Sequence, residues 1–245
     1  MEKLGIGGVV ASVILGIFFI VGISWVNNTW LEVKASDNSL SVTGSAKKTV
    51  TSDIAKWSSS FSRKVTEEEL KNGYATMKAD EAIVSKFLKN NKVEDGEITI
   101  SPVSLQKEYN YAKDQSVDAP QEYTLMQTVL VQSSDIEKIK NLSKSAQGII
   151  DQGVIFSSGS PEYYYTKLPE ARVELLPDAM KDAQARADSI AGTTGKKVGT
   201  LKAASVGVVQ VTQPNSVDIS DYGNYDTSTV EKEVMVTVKA SFTLK

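Results

Sequence analysis

The stretch that decides the fold is Pro177-Asp-Ala-Met-Lys-Asp-Ala-Gln-Ala-Arg-Ala-Asp-Ser-Ile-Ala191. At about 100° per residue, Ala179, Met180, Ala183, Ala187, Ile190 and Ala191 fall within one arc of about 120°. Lys181, Asp182, Gln184, Arg186, Asp188 and Ser189 take the other side, and Ala185 points away with them. A helix whose inward face is mostly alanine brings its backbone close to whatever it packs against. Gly192 and Gly195 follow where a left-handed cap ends a helix, and a strand-like run from Val198 to Val211 comes next. The reading is a core helix of an α+β domain, with a small-ligand pocket beside the alanine face as the alternative.

The segments around this helix are read from their periods. Pro177 either marks its first turn or lies inside a longer helix beginning near Pro169. The clearest strand closes the chain, with Val234, Val236, Val238, Ala240, Phe242 and Leu244 on one face. Leu40 to Gly44 opens an earlier strand. Ala55, Trp57, Ser59, Phe61 and Val65 then alternate with polar residues, although Arg63 falls in phase with the buried set. Thr66-Glu-Glu-Glu69 reads as a capping box for a helix striped by Leu70, Tyr74, Met77, Val84, Phe87 and Leu88. Strands follow over Ile98–Tyr111 and Glu122–Gln132. Ser134-Asp-Ile-Glu137 caps a further helix presenting Ile136, Ile139, Leu142, Ala146, Ile149 and Ile150. Val154-Ile-Phe156 starts another strand. The predicted order is ββαββαβαββ, with helices packed on one side of mostly antiparallel sheet. No break in composition divides residues 40–245, and residues 36–245 are read as one domain after an anchor and linker over 1–35.

The anchor is predicted from Leu4 to Val26, which contains no charged residue. At 1.5 Å per residue such a helix is long enough for a hydrocarbon core of about 30 Å. Trp25 and Trp30 sit where an interfacial aromatic belt belongs. A cleaved signal peptide is the rival, but its apolar region runs about 7–15 residues, and the nearest small-x-small triplet, Gly22-Ile-Ser24, is a poor cleavage site. Charge counting, Lys3 against Lys34, leans only slightly towards an N-terminus inside.

Composition narrows the chemistry. The 245 residues are 41% hydrophobic and 23% charged, with a net charge of −3, so a sizeable core is expected and nucleic acid is not an expected partner. Cysteine and histidine are both absent. Their absence removes thiolate chemistry, the usual general base and the usual zinc ligand. Gly192-Thr-Thr-Gly-Lys196 has the wrong spacing for a phosphate loop and follows a helix, so it reads as a helix cap. Ser157-Ser-Gly-Ser160 is not a nucleophile elbow. The loop Gln213–Thr229 carries Asp218, Asp221 and Asp226, Tyr222 and Tyr225, and no Lys or Arg. It reads as a mobile hairpin tip, and its three carboxylates make a weak cation or partner site the alternative, although no EF-hand spacing is present. Tyr109, Tyr111, Tyr163, Tyr164 and Tyr165 are the candidate interface residues, because tyrosine gives large contact area at low entropy cost, and half-buried tyrosines of the sheet are the other reading of the same positions. No catalytic residue, metal ligand or cofactor site is predicted.

Taken together, several motifs resemble the SIMPL-domain family, the bacterial periplasmic immunogenic protein type. The motifs are Val42-Thr-Gly44 with Ser52-Asp-Ile-Ala55, Tyr109-Asn-Tyr111 with Glu122-Tyr-Thr124, and the alanine-spaced helix from Asp178 followed by Gly195 and Val198-Gly-Thr-Leu201. Ala46, Glu122 and Pro177 depart from the usual pattern. The resemblance covers about residues 40–245. It implies an α+β domain outside the cytoplasmic membrane, often oligomeric, loosely linked to envelope stress and without established catalytic residues. The expected function is therefore a non-enzymatic scaffold or binding module that self-associates as a homo-oligomer. It would be held to the inner membrane by a single pass through residues 4–26, its C-terminal domain on the periplasmic side, facing an unidentified envelope protein or glycan partner. The alternatives are a carboxylate-only hydrolase of envelope glycans and a small-ligand-binding protein.

Overall fold

The structure, a computed structural model, describes residues 16–19, 22–23, 38–108 and 120–245. Its strands are β1 (Ser39–Thr51), β2 (Ile54–Thr66), β3 (Ile98–Ile100), β4 (Ser104–Lys107), β5 (Glu122–Ser133), β6 (Phe156–Ser158), β7 (Glu162–Tyr164), β8 (Val198–Val206), β9 (Gln210–Thr212), β10 (Asn224–Tyr225) and β11 (Glu231–Leu244). The helices are α1 (Leu70–Asn90), α2 (Ile136–Ser145), α3 (Gln147–Ile150) and α4 (Leu168–Thr193). The chain is α+β and its strand pairing is mainly antiparallel, with β9 and β10 pairing parallel. Among the described residues no helix is long and apolar enough to cross a membrane. The Leu4–Val26 span lies outside the described residues except for positions 16–19, 22 and 23.

Two compact units are formed. The larger holds Lys47–Val173 and Val209–Met235; the smaller holds β1 as far as Ala46, Glu174–Val208 and Val236–Lys245.

In the larger unit the strands run β3-β5-β2-β6, with β4 on β5 and β7 on β2. β2 and β5 pair without a break from Ala55↔Ser133 to Thr66↔Glu122. Alternation along β2 sends Ala55, Trp57, Ser59 and Phe61 inward, where they meet Met77, Val84 and Leu88 of α1 and Ile139 and Leu142 of α2. The buried Trp57 indole donates to Ser158 Oγ and Gly159 O, both at 3.1 Å, so its polar edge is satisfied. Arg63, in phase with the buried face, reaches a carboxylate hidden in the helix stripe. Its Nε and Nη2 donate to Asp80 Oδ2 at 2.7 Å and Oδ1 at 2.8 Å, and Nη2 also donates to Gly153 O at 2.8 Å. Asp80 is buried, and this forked bond holds the Arg63 guanidinium protonated above its ordinary range.

Several local expectations are corrected. The buried stripe of α1 is Gly73, Met77, Asp80, Val84 and Leu88, and Tyr74 is exposed. At Gly73 the helix lies so near β2 and β5 that a Cβ would stand 2.7 Å from Val65 Cγ1 and 2.9 Å from Leu125 Cδ1. Thr66 does not cap α1; its hydroxyl and amide donate to Glu69 instead. The cap of α2 is Asp135, one residue later than read, its carboxylate accepting from Lys138 N at 2.9 Å. Ile150 is exposed because α2 ends at Ser145 and α3 starts a separate turn. The strand expected over Ile98–Tyr111 is split into β3 and β4 around Pro102, which has no amide hydrogen for the ladder.

In the smaller unit β11 lies between β1 and β8, pairing β8 from Val238↔Val206 to Leu244↔Val198 with register shifts beside Phe242. Its core is Val42, Ala183, Ala187, Ala240 and Phe242, with Leu40, Met180 and Val198 against it. α4 is the longer of the two helices foreseen, with Pro177 inside it. Leu175, Ala179, Ala183, Ala187 and Ala191 are buried at strict four-residue spacing, and Ala185 is exposed. Four residues overshoot one 3.6-residue turn by about 40°, so the buried stripe winds around the helix. Ile190, placed inward by angle alone, is exposed for this reason: near the C-terminal end the stripe has turned towards Ala187 and Ala191. The alanines leave no pocket beside Gly44. A Cβ there would overlap Ala179 O and Ala183 N and stand 2.7 Å from Ala183 Cα. Beside this contact Ser45 N donates to Asp182 Oδ2 at 2.8 Å, and Arg186 Nε donates to the same oxygen at 2.9 Å. The Ser45 amide, with Arg186, holds the Asp182 carboxyl below the usual range.

Candidate functional site

The site is built on the outward face of the larger unit's sheet. β7 pairs β2 in the register Ile54↔Tyr164 and Lys56↔Glu162, while β5 sets Gln132 opposite Lys56. The same alternation turns Ala55, Tyr163 and Ser133 inward. Beyond β7 the chain is tied by Asp53, which accepts from Thr166 N at 2.9 Å and Thr166 Oγ1 at 2.7 Å. Tyr225 of β10 then closes the rim. Its hydroxyl accepts from Tyr165 N at 2.8 Å, and its ring stacks on Tyr164 with centroids 6.0 Å apart. Lys56 Nζ lies 4.7 Å from the centre of the Tyr164 ring. Tyr164 donates its hydroxyl to Glu162 at 2.7 Å, a bond that raises its pKa above the ordinary phenol value. Ile54, Lys56, Gln132, Tyr164, Tyr165, Thr166 and Tyr225 line a concavity of about 400 Å³.

Next to Tyr225 lies a buried ionic knot. Lys232 is fully buried, with Nζ donating to Asp226 O and Thr229 O at 2.6 Å and to Asp226 Oδ2 at 3.3 Å, and standing 5.9 Å from the Tyr225 ring centre. Burial pushes the Lys232 ammonium pKa down, and the Asp226 charge opposes that. Asp226 also accepts from Ser228 N at 3.2 Å, Ser228 Oγ at 2.7 Å, Thr229 N at 3.1 Å and Thr229 Oγ1. Burial raises its pKa, but the Thr229 and Ser228 bonds outweigh it and hold the carboxyl well below the usual range.

These observations redistribute the residues singled out from the sequence. Tyr109 and Tyr111 lie outside the described residues. Tyr163 is only 7% exposed and packs in the core, so it is not an interface residue; Tyr164 and Tyr165 are half-buried at the concavity. Asp226 is consumed by Lys232 and two hydroxyls, Asp218 bonds to nearby Ser216, and Asp221 is exposed. Among the described residues no three acidic groups gather that would hold a metal, so the cation loop is not assembled; a lysine fills the cation's place. Tyr225 and Lys232 were not assigned these roles from sequence. Lys232 carried a legible signal, since it is in phase with Val234 and Val236 on a strand face that is otherwise buried. The Gly192–Lys196 segment caps α4, with Gly195 at φ +69° and Lys196 N donating to Ala191 O at 3.0 Å.

A protein family of unknown function, SIMPL (DUF541), matches residues 40–242, most of the chain. The chain belongs to the SIMPL family. Two of the motifs behind the earlier resemblance meet within the smaller unit of this SIMPL protein, where Gly44 of Val42-Thr-Gly44 lies against Ala179 and Ala183 of the alanine helix. No protein with a curated description matches the chain.

Proposed function

We propose that this SIMPL protein is a non-catalytic binding module of the bacterial cell envelope, carried outside the inner membrane by a single-pass anchor at residues 4–26. The observation that carries the binding reading is the concavity at Tyr164 and Tyr225. It has the size of a small-molecule site, mostly apolar walls and a few fixed polar groups. A hydrolase acting through two carboxyls needs one with a raised pKa. Among the described residues the carboxyls held away from their ordinary values, Glu97, Asp182 and Asp226, are displaced downward. The uncharged run Leu4–Val26 supports the anchor.

Self-association is a second reading, favoured by the tip of the loop between β9 and β10. Val217, Ile219 and Tyr222 are 90%, 72% and 97% exposed there, and one membrane anchor per chain raises the local concentration of such tips. Ligand-observed NMR of the full chain with a mixed fragment set tests the binding reading. Fragments that bind wild type and lose their signal with Tyr225→Ala are expected. Absence of binders, or binders indifferent to Tyr225, refutes it.

A further inference from the structure

We propose that the Tyr164–Tyr225 concavity takes a small aromatic carboxylate. This rests on the binding reading and names its ligand class.

Most polar groups around the concavity are already engaged. Thr166 is held by Asp53, the Tyr225 hydroxyl by Tyr165, and the Tyr164 hydroxyl by Glu162. Lys56 is different. Among the described residues its ammonium contacts only the Tyr164 ring and has no carboxylate partner. Glu162, opposite it across the strand pair, is turned to the Tyr164 hydroxyl instead. Beside Lys56 on β5, the Gln132 amide is exposed and makes no hydrogen bond among the described residues. Among the described residues the lining therefore leaves one cation and one amide, adjacent on the same face, together with the Tyr165 hydroxyl, which makes no hydrogen bond, above walls of Ile54 and tyrosine rings.

That inventory separates ligand classes. A saccharide carries many hydroxyls and needs many partners, whereas this surface leaves few groups free. A phosphate dianion usually meets arginines, and none lines this cavity. The neighbouring Glu162 charge also disfavours a doubly charged group. A single carboxylate matches Lys56, with Gln132 donating to its second oxygen. An aromatic body matches the rest, because tyrosine rings take other rings edge-to-face or in offset stacks.

The test is calorimetric and NMR titration of the full chain with three probes: indole-3-acetate, neutral indole and glucuronate. Indole-3-acetate is expected to bind with Kd on the order of 1 mM or tighter, as suits so small a ligand. Lys56→Gln should weaken it about tenfold and Lys56→Arg should largely restore it, both folding normally by far-UV circular dichroism. Gln132→Ala, on an exposed strand position, should weaken it less. Binding of indole-3-acetate that is indifferent to Lys56→Gln, or indole binding equally well with loss in Tyr225→Ala, refutes the carboxylate assignment and leaves the binding module standing. Glucuronate binding at least as tightly refutes the aromatic assignment in the same way. Silence from all three probes overturns the proposal; the binding module then falls only if the wider fragment set is silent too.

Discussion

Adding one methyl group at Gly44 probes a backbone-to-backbone approach of strand and helix in the smaller unit. The new Cβ would overlap Ala179 O and Ala183 N and sit 2.7 Å from Ala183 Cα, all of them backbone atoms of α4. No side-chain rotation relieves such a contact, so helix and strand must separate. Overpacking typically destabilises by about 1–3 kcal/mol, and a clash with backbone belongs at about 3 kcal/mol. With roughly 2–4 °C lost per kcal/mol in a chain of this size, Gly44→Ala should lower Tm by about 6–12 °C. Ala183→Gly should not rescue it, since the atoms in conflict remain. Gly148→Ala is the control: it lies in α3 with open space around its Cβ position, and replacing a helical glycine there should leave Tm unchanged or raise it slightly. Thermal melts of the three variants by circular dichroism decide the matter. A Gly44→Ala protein that melts with wild type, or that Ala183→Gly restores, would show the contact has been misjudged.

Asp80→Ala should destabilise by about 1.5–3 kcal/mol in urea titration by leaving the part-buried Arg63 guanidinium with Gly153 O alone, and Arg63→Leu in the same chain should recover part of that loss. The Asp226 carboxyl is held lower in the fold than in the unfolded chain, so its contribution is full above the unfolded pKa and fades as pH falls below it. Wild-type Tm should accordingly drop between pH 5 and pH 2.5 (roughly the lower carboxylate range), and Asp226→Asn should show a shallower drop from a lower starting Tm. Replacing Val217, Ile219 and Tyr222 together by Ser should reduce self-association in sedimentation velocity while Tm stays put; an unchanged oligomer removes the tip from the interface.

Period carried most of the fold. The alternation of β2 and β11 and the alanine spacing of α4 were legible because a two- or four-residue rhythm survives whatever packs against it. What failed was local. Ile190 obeys the helical angle but lies beyond the reach of a stripe that winds, and Tyr74 yields to Gly73 because two strands press on the helix there. The candidate site was half legible. Tyr164 and Tyr165 could be named from tyrosine density, but their partner Tyr225 arrives from sixty positions away through one hydroxyl, and Lys56 belongs to the site only through the register of β7 on β2. Sequence spacing carries no trace of such cross-strand neighbours.

The lysine at position 232 has a consequence for the loop it supports. By supplying a cation from its own strand, the chain closes the Asp226 turn without borrowing one from solution. Chelators and shifts in divalent ions should therefore leave the loop's geometry untouched. Gln210 clasps the other side, its amide donating to Ser220 O at 2.6 Å. A long loop pinned at both flanks by side chains from buried positions has surrendered much of its freedom before anything meets it, so whatever contacts its greasy crown meets a finger already stiffened.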